Sequence, residues 1–405
     1  MSAFAFRDYR LLWTGQLLSN LGSWLLVVAV PYHVFRLTGS TVATASAFVA
    51  ETLPALVLGP VAGVFADRWE RRRVLLVSDL LRAGCVLLLV LVRSPDMLWL
   101  LYVAVFAENA AGQFFRPAKQ ALIPAIVDRG SDLSSANSLS SLVEGVVRLG
   151  GAPLGGVLYA LTGFTGVVVL DAVSYLASAV LIALVRVRSR GGTTGDRTVG
   201  AVLVEFRDGA RHVWRSRLLR GQLLVAGCYF AGNGALTALL VPFLTGELGG
   251  GSQQLGLVLS ALGVGFLIGA PLSGRVADRI TPRTSTAGAL AVLGLCFFGM
   301  FNAGDLLLVT VLAGLAGIPG VILLVGFQTQ VQRLTPDALL GRVSAAFGTA
   351  EMAATVAGSA TAGALAGALG LGTTLNAAIG LILAAAVAAV VLFPAGHQRQ
   401  HEVLC

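Results

Sequence analysis

Charge is scarce in this chain. Only 12% of its 405 residues are Asp, Glu, Lys or Arg, about half the share a soluble domain carries. Lys119 is the only lysine, so no GxxxxGK[ST] phosphate loop exists and ATP hydrolysis by such a loop is excluded. The cysteines are Cys85, Cys228, Cys296 and Cys405. No two have CxxC spacing and three lie in apolar runs, which reads as buried free thiols and not as a metal or redox centre. The histidines, His33, His212, His397 and His401, are scattered, so a membrane-embedded enzyme would lack a clustered ligand set. No cofactor and no metal are expected. Alternation of polar and apolar residues is also missing. Runs such as GLILAAAVAAVVLF do not alternate, which excludes a transmembrane β-barrel.

What remains is a set of long apolar runs. The chain is 56% hydrophobic with a mean hydropathy of +0.84, and a bilayer-spanning helix needs roughly 20 apolar residues. The expected fold class is all-α integral membrane, with twelve transmembrane helices. These fall at about 10–36, 41–66, 73–93, 97–127, 132–162, 164–187, 217–246, 253–278, 283–301, 304–333, 337–369 and 371–394. The first run follows MSAFAFRDYRLLW without a small-residue cleavage site, so the first span is expected to be its own insertion signal. One connection is long. Residues 188–216 are polar, glycine-rich and basic, with an amphipathic stretch through Val202, Phe206, Val213 and Trp214. The expected division is a six-helix bundle over 1–187, a cytoplasmic linker with an amphipathic helix over 188–216, and a second bundle with a short tail over 217–405.

The cations fix an orientation. With the N-terminus inside, inner segments hold 22 of the 28 Lys and Arg, and outer segments hold two, Arg36 and Arg93. Arg82, Arg116, Lys119 and Arg148 lie within spans. Arginine excess marks the cytoplasmic side, so both termini are expected in the cytoplasm. The net charge of +8 is then a topology signal, and no nucleic-acid partner is implied.

GVFADRWERRR at 63–73 is echoed by GRVADRITPR 211 residues later. Gly63, Ala66, Asp67, Arg68 and Arg72 fall on Gly274, Ala277, Asp278, Arg279 and Arg283, each time in the inner turn after the second span of a half. Two parallel six-span halves fit a transporter with its site near the membrane midplane. The first stretch resembles the cytoplasmic G-x-L-A-D-R-x-G-R-R motif of the major facilitator superfamily, with Glu70 in place of the second glycine. Several strings resemble its drug-exporter branch, which includes macrolide-efflux and enterobactin-exporter proteins: VFRLTGS (34–40), SDLLRAG (78–84), FRPAKQALIPAIV (115–127), LSSANSL (133–139), GGAPLGGVL (150–158) and LTPDALLGRVSA (334–345). The resemblance implies two pseudo-symmetric six-helix bundles working by alternating access. It also implies a small amphipathic substrate, protons and the lipid bilayer as partners, and a functional monomer.

Under that resemblance the two turns form a conformational latch. Its residues are Gly63, Asp67, Arg68, Arg71, Arg72, Gly274, Asp278, Arg279, Arg283 and Arg342, with Asp79 and Arg82 (D-x-x-R) supporting it. The bland alternative is a topology anchor alone. Candidate proton-coupling groups are the in-span acids Glu51, Glu108, Glu144, Asp171 and Glu351, with Arg148 spaced to pair with Glu144. A charge inside a bilayer costs at least ~2.5–3.5 kcal/mol, so such groups face a cavity or a partner. Each could instead be a neutral, hydrogen-bonded structural group. Many relatives have an acid in the first span where Ser23 stands. Arg116 and Lys119 read as anchors or as anion-attracting groups. Gly145, Gly150, Gly151, Gly155 and Gly156 with Pro153 resemble the superfamily's antiporter motif, G-P-x-x-G-G, with proline one place late; close helix packing is the other reading. Candidate cavity residues are Trp24, Tyr32, His33, Asn109, Gln113, Tyr229, Asn233, Gln328 and Asn376. A non-transporting scaffold or sensor would be favoured by a large soluble domain, which these residues do not include. Siderophore export and lipid flipping remain open within transport.

Overall fold

The computed structural model describes residues 3–127, 131–187 and 199–394, with the side chains of 60, 61, 63–68, 131, 141, 144, 148, 199, 201–203, 277 and 278 outside the description. Among the described residues there are helices and turns but no strand. In order they are α1 (Arg7–Thr38), α2 (Thr41–Arg68), α3 (Arg71–Leu88), α4 (Leu98–Ile126), α5 (Ser131–Ala183), α6 (Val199–Arg215), α7 (Arg217–Pro242), α8 (Ser252–Arg279), α9 (Pro282–Phe301), α10 (Leu306–Leu334), α11 (Asp337–Leu369) and α12 (Leu371–Leu392). A π-helical turn, Phe243–Glu247, extends α7.

Eleven of these are long and apolar enough to cross a bilayer. α5 accounts for two crossings. Its 53 residues would reach about 80 Å if straight, against a hydrocarbon core of ~30 Å. It bends at Gly163, whose φ of 69° and ψ of −175° leave the helical region. That conformation is essentially restricted to glycine, so the boundary between the fifth and sixth spans is written in one residue. Elsewhere the breaks have ordinary causes. Gly39 ends α1 in the left-handed region, its N–H donating to the Phe35 carbonyl. Ser216, Thr281 and Asp305 cap α7, α9 and α10 through their side-chain oxygens.

Two compact units emerge: Met1–Val202 with Gly250–Leu257, and Leu203–Gly249 with Val258–Cys405. In the first, α1 packs on α5, α2 on α4, and α3 on α4 and α5. In the second, α7 packs on α11 and α12, and α9 on α10 and α12. α7 and α9 thus pair as α1 and α3 do, and α2 and α8 begin and end 211 residues apart. Leu161, Leu307, Val387 and Val391 are among many exposed apolar side chains. Such a surface would aggregate in water and is what lipid covers.

Candidate functional site

The first unit holds a charged cluster in its interior. Arg82 of α3 reaches Glu108 of α4 through both Nε and Nη2, each 3.0 Å from Oε1. The Tyr175 hydroxyl of α5 donates to the same oxygen at 2.7 Å. Asn109 Nδ2 donates to the other, Oε2, at 2.8 Å. The guanidinium lies over the Tyr175 ring, 4.1 Å from its centroid, and Nη2 also donates to Ser23 Oγ of α1 at 3.3 Å. Ser23 Oγ and the Tyr175 hydroxyl are 2.7 Å apart. Glu108 is therefore surrounded by donors.

Two more carboxyls share this interior and are less well served. Asp79, fully buried one turn before Arg82, lies 3.9 Å from Nη1; neither of its oxygens receives a hydrogen bond of good geometry, and the Ser178 hydroxyl of α5 is the donor group beside it. Asp171, also fully buried, accepts from Ser174 Oγ at 3.2 Å on Oδ1, while Oδ2 has no partner. Three carboxyls thus stand around one guanidinium. If all four were ionised the cluster would carry two uncompensated negative charges in a low-dielectric interior. That arrangement is expensive unless protons or an incoming cation offset it.

Local sequence explains how the groups meet. Asp171, Ser174, Tyr175 and Ser178 recur at i, i+3, i+4 and i+7, which is one helix face. Opposite that face is Gly22 of α1. A Cβ there would stand 2.2 Å from both Asp171 Oδ1 and Ser174 Oγ, so the close approach of α1 and α5 depends on its having no side chain. Gly151 and Gly155 serve the same contact further along, against Trp24 and Leu25.

The structure joins residues the sequence kept apart. Asp79 and Arg82, expected to support the latch, are in one cluster with Glu108 and Asp171, expected to couple protons. Ser23 is in the cluster as well. Tyr175 and Ser174 were missed, although the polar stripe just described was a readable signal. Glu51 of α2 is half-buried and interacts electrostatically with Glu108. Glu351 of α11 is half-buried; its backbone carbonyl accepts from Thr355. Glu144 and Arg148 lie outside the described side chains.

The charged turn after α2 has a structural account. Arg71 Nη1 donates to the Ala121 carbonyl of α4 at 2.9 Å. Arg72 donates through Nε to the Ile182 carbonyl at 3.2 Å and through Nη2 to the Ala183 carbonyl, satisfying the end of α5. Glu70 pairs with Arg73 at 2.7 Å. Its φ of −63° suits any residue, so this turn needs no glycine there. The side chains of Asp67, Arg68 and Asp278, and position 63, lie outside the described set. Gly274 and Arg279 are exposed and Arg283 is half-buried. Arg342 lies 3.7 Å from Asp208 of α6.

The cavity residues are dispersed. Tyr32 and His33 line a pocket of about 680 Å³ with Arg36, Tyr159 and Gln254. The His33 ring is fixed there, stacked on Phe164 and within hydrogen-bond reach of Tyr159 at 3.2 Å. Trp24 packs on Gly151. Asn109 holds Glu108, and Gln113 donates back to the Asn109 carbonyl. Tyr229 is buried against Phe230 and Phe327. Asn233 is half-buried and Gln328 exposed. Asn376 exchanges hydrogen bonds with Asn302 near helix ends and is exposed, so it sits away from the middle of a span. Lys119 is buried and Arg116 exposed, three residues apart on α4.

Comparison with known proteins agrees with this architecture. The family model described as transmembrane secretion effector matches residues 1–403. The multidrug efflux pump Tap of Mycolicibacterium fortuitum is 30% identical over 352 residues, covering 84% of each chain. Macrolide efflux protein A of Streptococcus pyogenes is 23% identical over 345 residues, again 84% of each. Among solved structures, a bacterial homologue of the human lysosomal transporter Spinster superimposes with a TM-score of 0.75 at 14% identity, over 95% of this chain and 96% of that one. The nucleoside transporter NupG gives 0.74 at 12% identity, over 96% and 100%. At such identities the structures speak for the fold.

Proposed function

We propose, for a chain that belongs to the transmembrane secretion effector family of the major facilitator superfamily, a specific transport mode: proton-coupled export of an amphipathic drug or natural product by alternating access. The chain is a multi-pass membrane transporter with drug- and macrolide-efflux relatives. In this reading the protein works as a monomer in a bacterial inner membrane, with both termini in the cytoplasm and residues 188–216 linking a six-helix bundle over 1–187 to a second over 217–405.

The single observation that carries it is the excess of carboxyls around Arg82. Arg82 and Glu108 form the fixed pair, since Glu108 accepts from Arg82, Tyr175 and Asn109 together. Asp79 and Asp171 are left with unfilled acceptor oxygens, and these are the groups that exchange the proton. Loading and unloading a proton there changes the charge the interior must tolerate, which biases the balance between two conformations. Tyr175 links the pair to Ser23 on α1 and to α5, so a change of charge is felt by four helices at once. Glu51 and Glu351, each half-buried in a span, are secondary candidates. The turn arginines tie α4 and α5 together at one membrane face, which makes the turn a stiff lever.

The test is transport in proteoliposomes. A labelled macrolide should accumulate against its gradient when a pH gradient is imposed, and collapsing the gradient should stop it. Flux indifferent to the gradient would refute antiport. Gradient-driven flux of a siderophore or a lipid with no macrolide flux would keep the coupling and replace the substrate class.

A further inference from the structure

Helix α6 presents two unlike faces. One is docked within the second unit. A Cβ on Gly209 would stand 2.3 Å from the Arg342 carbonyl oxygen, and Val213 is buried in a cluster with Leu219, Val331, Val343 and Phe347. The other face is bare. Val204, Arg207, Arg211, Trp214 and Arg215 fall within about a 100° arc at 3.6 residues per turn, and all five are exposed, the Trp214 residue at 66%. The acid beside this face, Asp208, is drawn to Arg342 at 3.7 Å. Only Ser216 separates α6 from α7, and its hydroxyl accepts from the Leu219 N–H at 3.3 Å. The helix is thereby tied directly to the first residue of a span, Arg217–Glu247. Arg217 and Arg220, both exposed, continue the basic surface.

We propose that this face binds the headgroups of anionic phospholipid in the adjacent leaflet. Arginines at i, i+4 and i+8 place three guanidiniums in a row, each able to donate paired N–H groups to phosphodiester oxygens. Trp214 and Val204, between and beside them, supply the amphipathic ring and apolar surface of a helix lying in the interface. This rests on the reading that places α6 on the cytoplasmic side; there face and leaflet have opposite charge, and each basic residue near an anionic surface strengthens attraction about fivefold. The site is separate from the acid cluster and does not depend on which solute is carried.

The test uses the full chain in neutral detergent, titrated with brominated phosphatidylglycerol or brominated phosphatidylcholine. Quenching of Trp214 is taken as the difference between the protein and its Trp214→Phe variant. Phosphatidylglycerol should quench at a mole fraction at least tenfold below phosphatidylcholine. The Arg207→Gln/Arg211→Gln/Arg215→Gln protein should lose that preference while keeping its thermal midpoint, and the triple Arg→Lys protein should retain most of it. Equal quenching by the two lipids, or a preference surviving in the triple Gln protein, overturns the proposal. So does a Trp214 that neither lipid quenches, the result expected if cytosol or a soluble protein faces it.

Discussion

Replacing Arg82 by Gln tests the cluster directly. The guanidinium supplies two contacts of 3.0 Å to Glu108 Oε1. Without it Glu108 keeps the Tyr175 hydroxyl at 2.7 Å and Asn109 at 2.8 Å, but its charge has no counter-ion. Breaking a buried pair by removing one partner costs ~3–5 kcal/mol. The two surviving donors hold the cost at the lower end, about 3 kcal/mol, on that same scale. Adding Glu108→Gln removes the orphaned charge, so the double variant should be more stable than the sum of the singles by ~1–3 kcal/mol. Denaturation of the four proteins in mixed micelles gives the cycle. Additivity within ~0.5 kcal/mol would mean that the two groups do not interact and would refute the reasoning.

Four further outcomes are expected. Gly163→Ala forces a side chain into a backbone region that only glycine populates, costing ~1–3 kcal/mol; an unchanged unfolding midpoint would argue against the bend. Arg72→Gln removes charged donors from the last carbonyls of α5, with an expected loss of ~1.5–3 kcal/mol, whereas Glu70→Gly should leave the fold of the turn intact and cost under ~1 kcal/mol, the usual range for glycine. Gly22→Ala should destabilise the protein and abolish transport, since its methyl would collide with Asp171 and Ser174; wild-type flux from that variant would show that α1 and α5 are not packed as described.

Much of the fold was legible because its signals are local. Apolar run length marked the spans to within a few residues, and Gly163 fell in the one-residue gap left between the fifth and sixth. The 211-residue echo in sequence reappears as matching ends of α2 and α8. The cluster was legible only in parts. Each acid stands out as a charge in an apolar run, but the D-x-x-R spacing assigns Arg82 to the latch with Asp79, because nothing local points to its other partners. Glu108 is 26 residues away on another helix and Tyr175 is 67 beyond that. Which faces meet is decided by Gly22 and its neighbours, a tertiary fact. Glu70 shows the opposite case. The resembled motif has a glycine at this place, yet the backbone here has an ordinary φ and the side chain pairs with Arg73.

The measurement closest to the central claim is proton release on substrate binding. Purified protein in weakly buffered detergent is mixed with a macrolide or lipophilic cation first shown to stabilise it. Acidification in proportion to bound substrate is expected, greatly reduced in the Asp79→Asn/Asp171→Asn protein with binding retained. Saturating binding with no pH change, or undiminished release from that double variant, would contradict it.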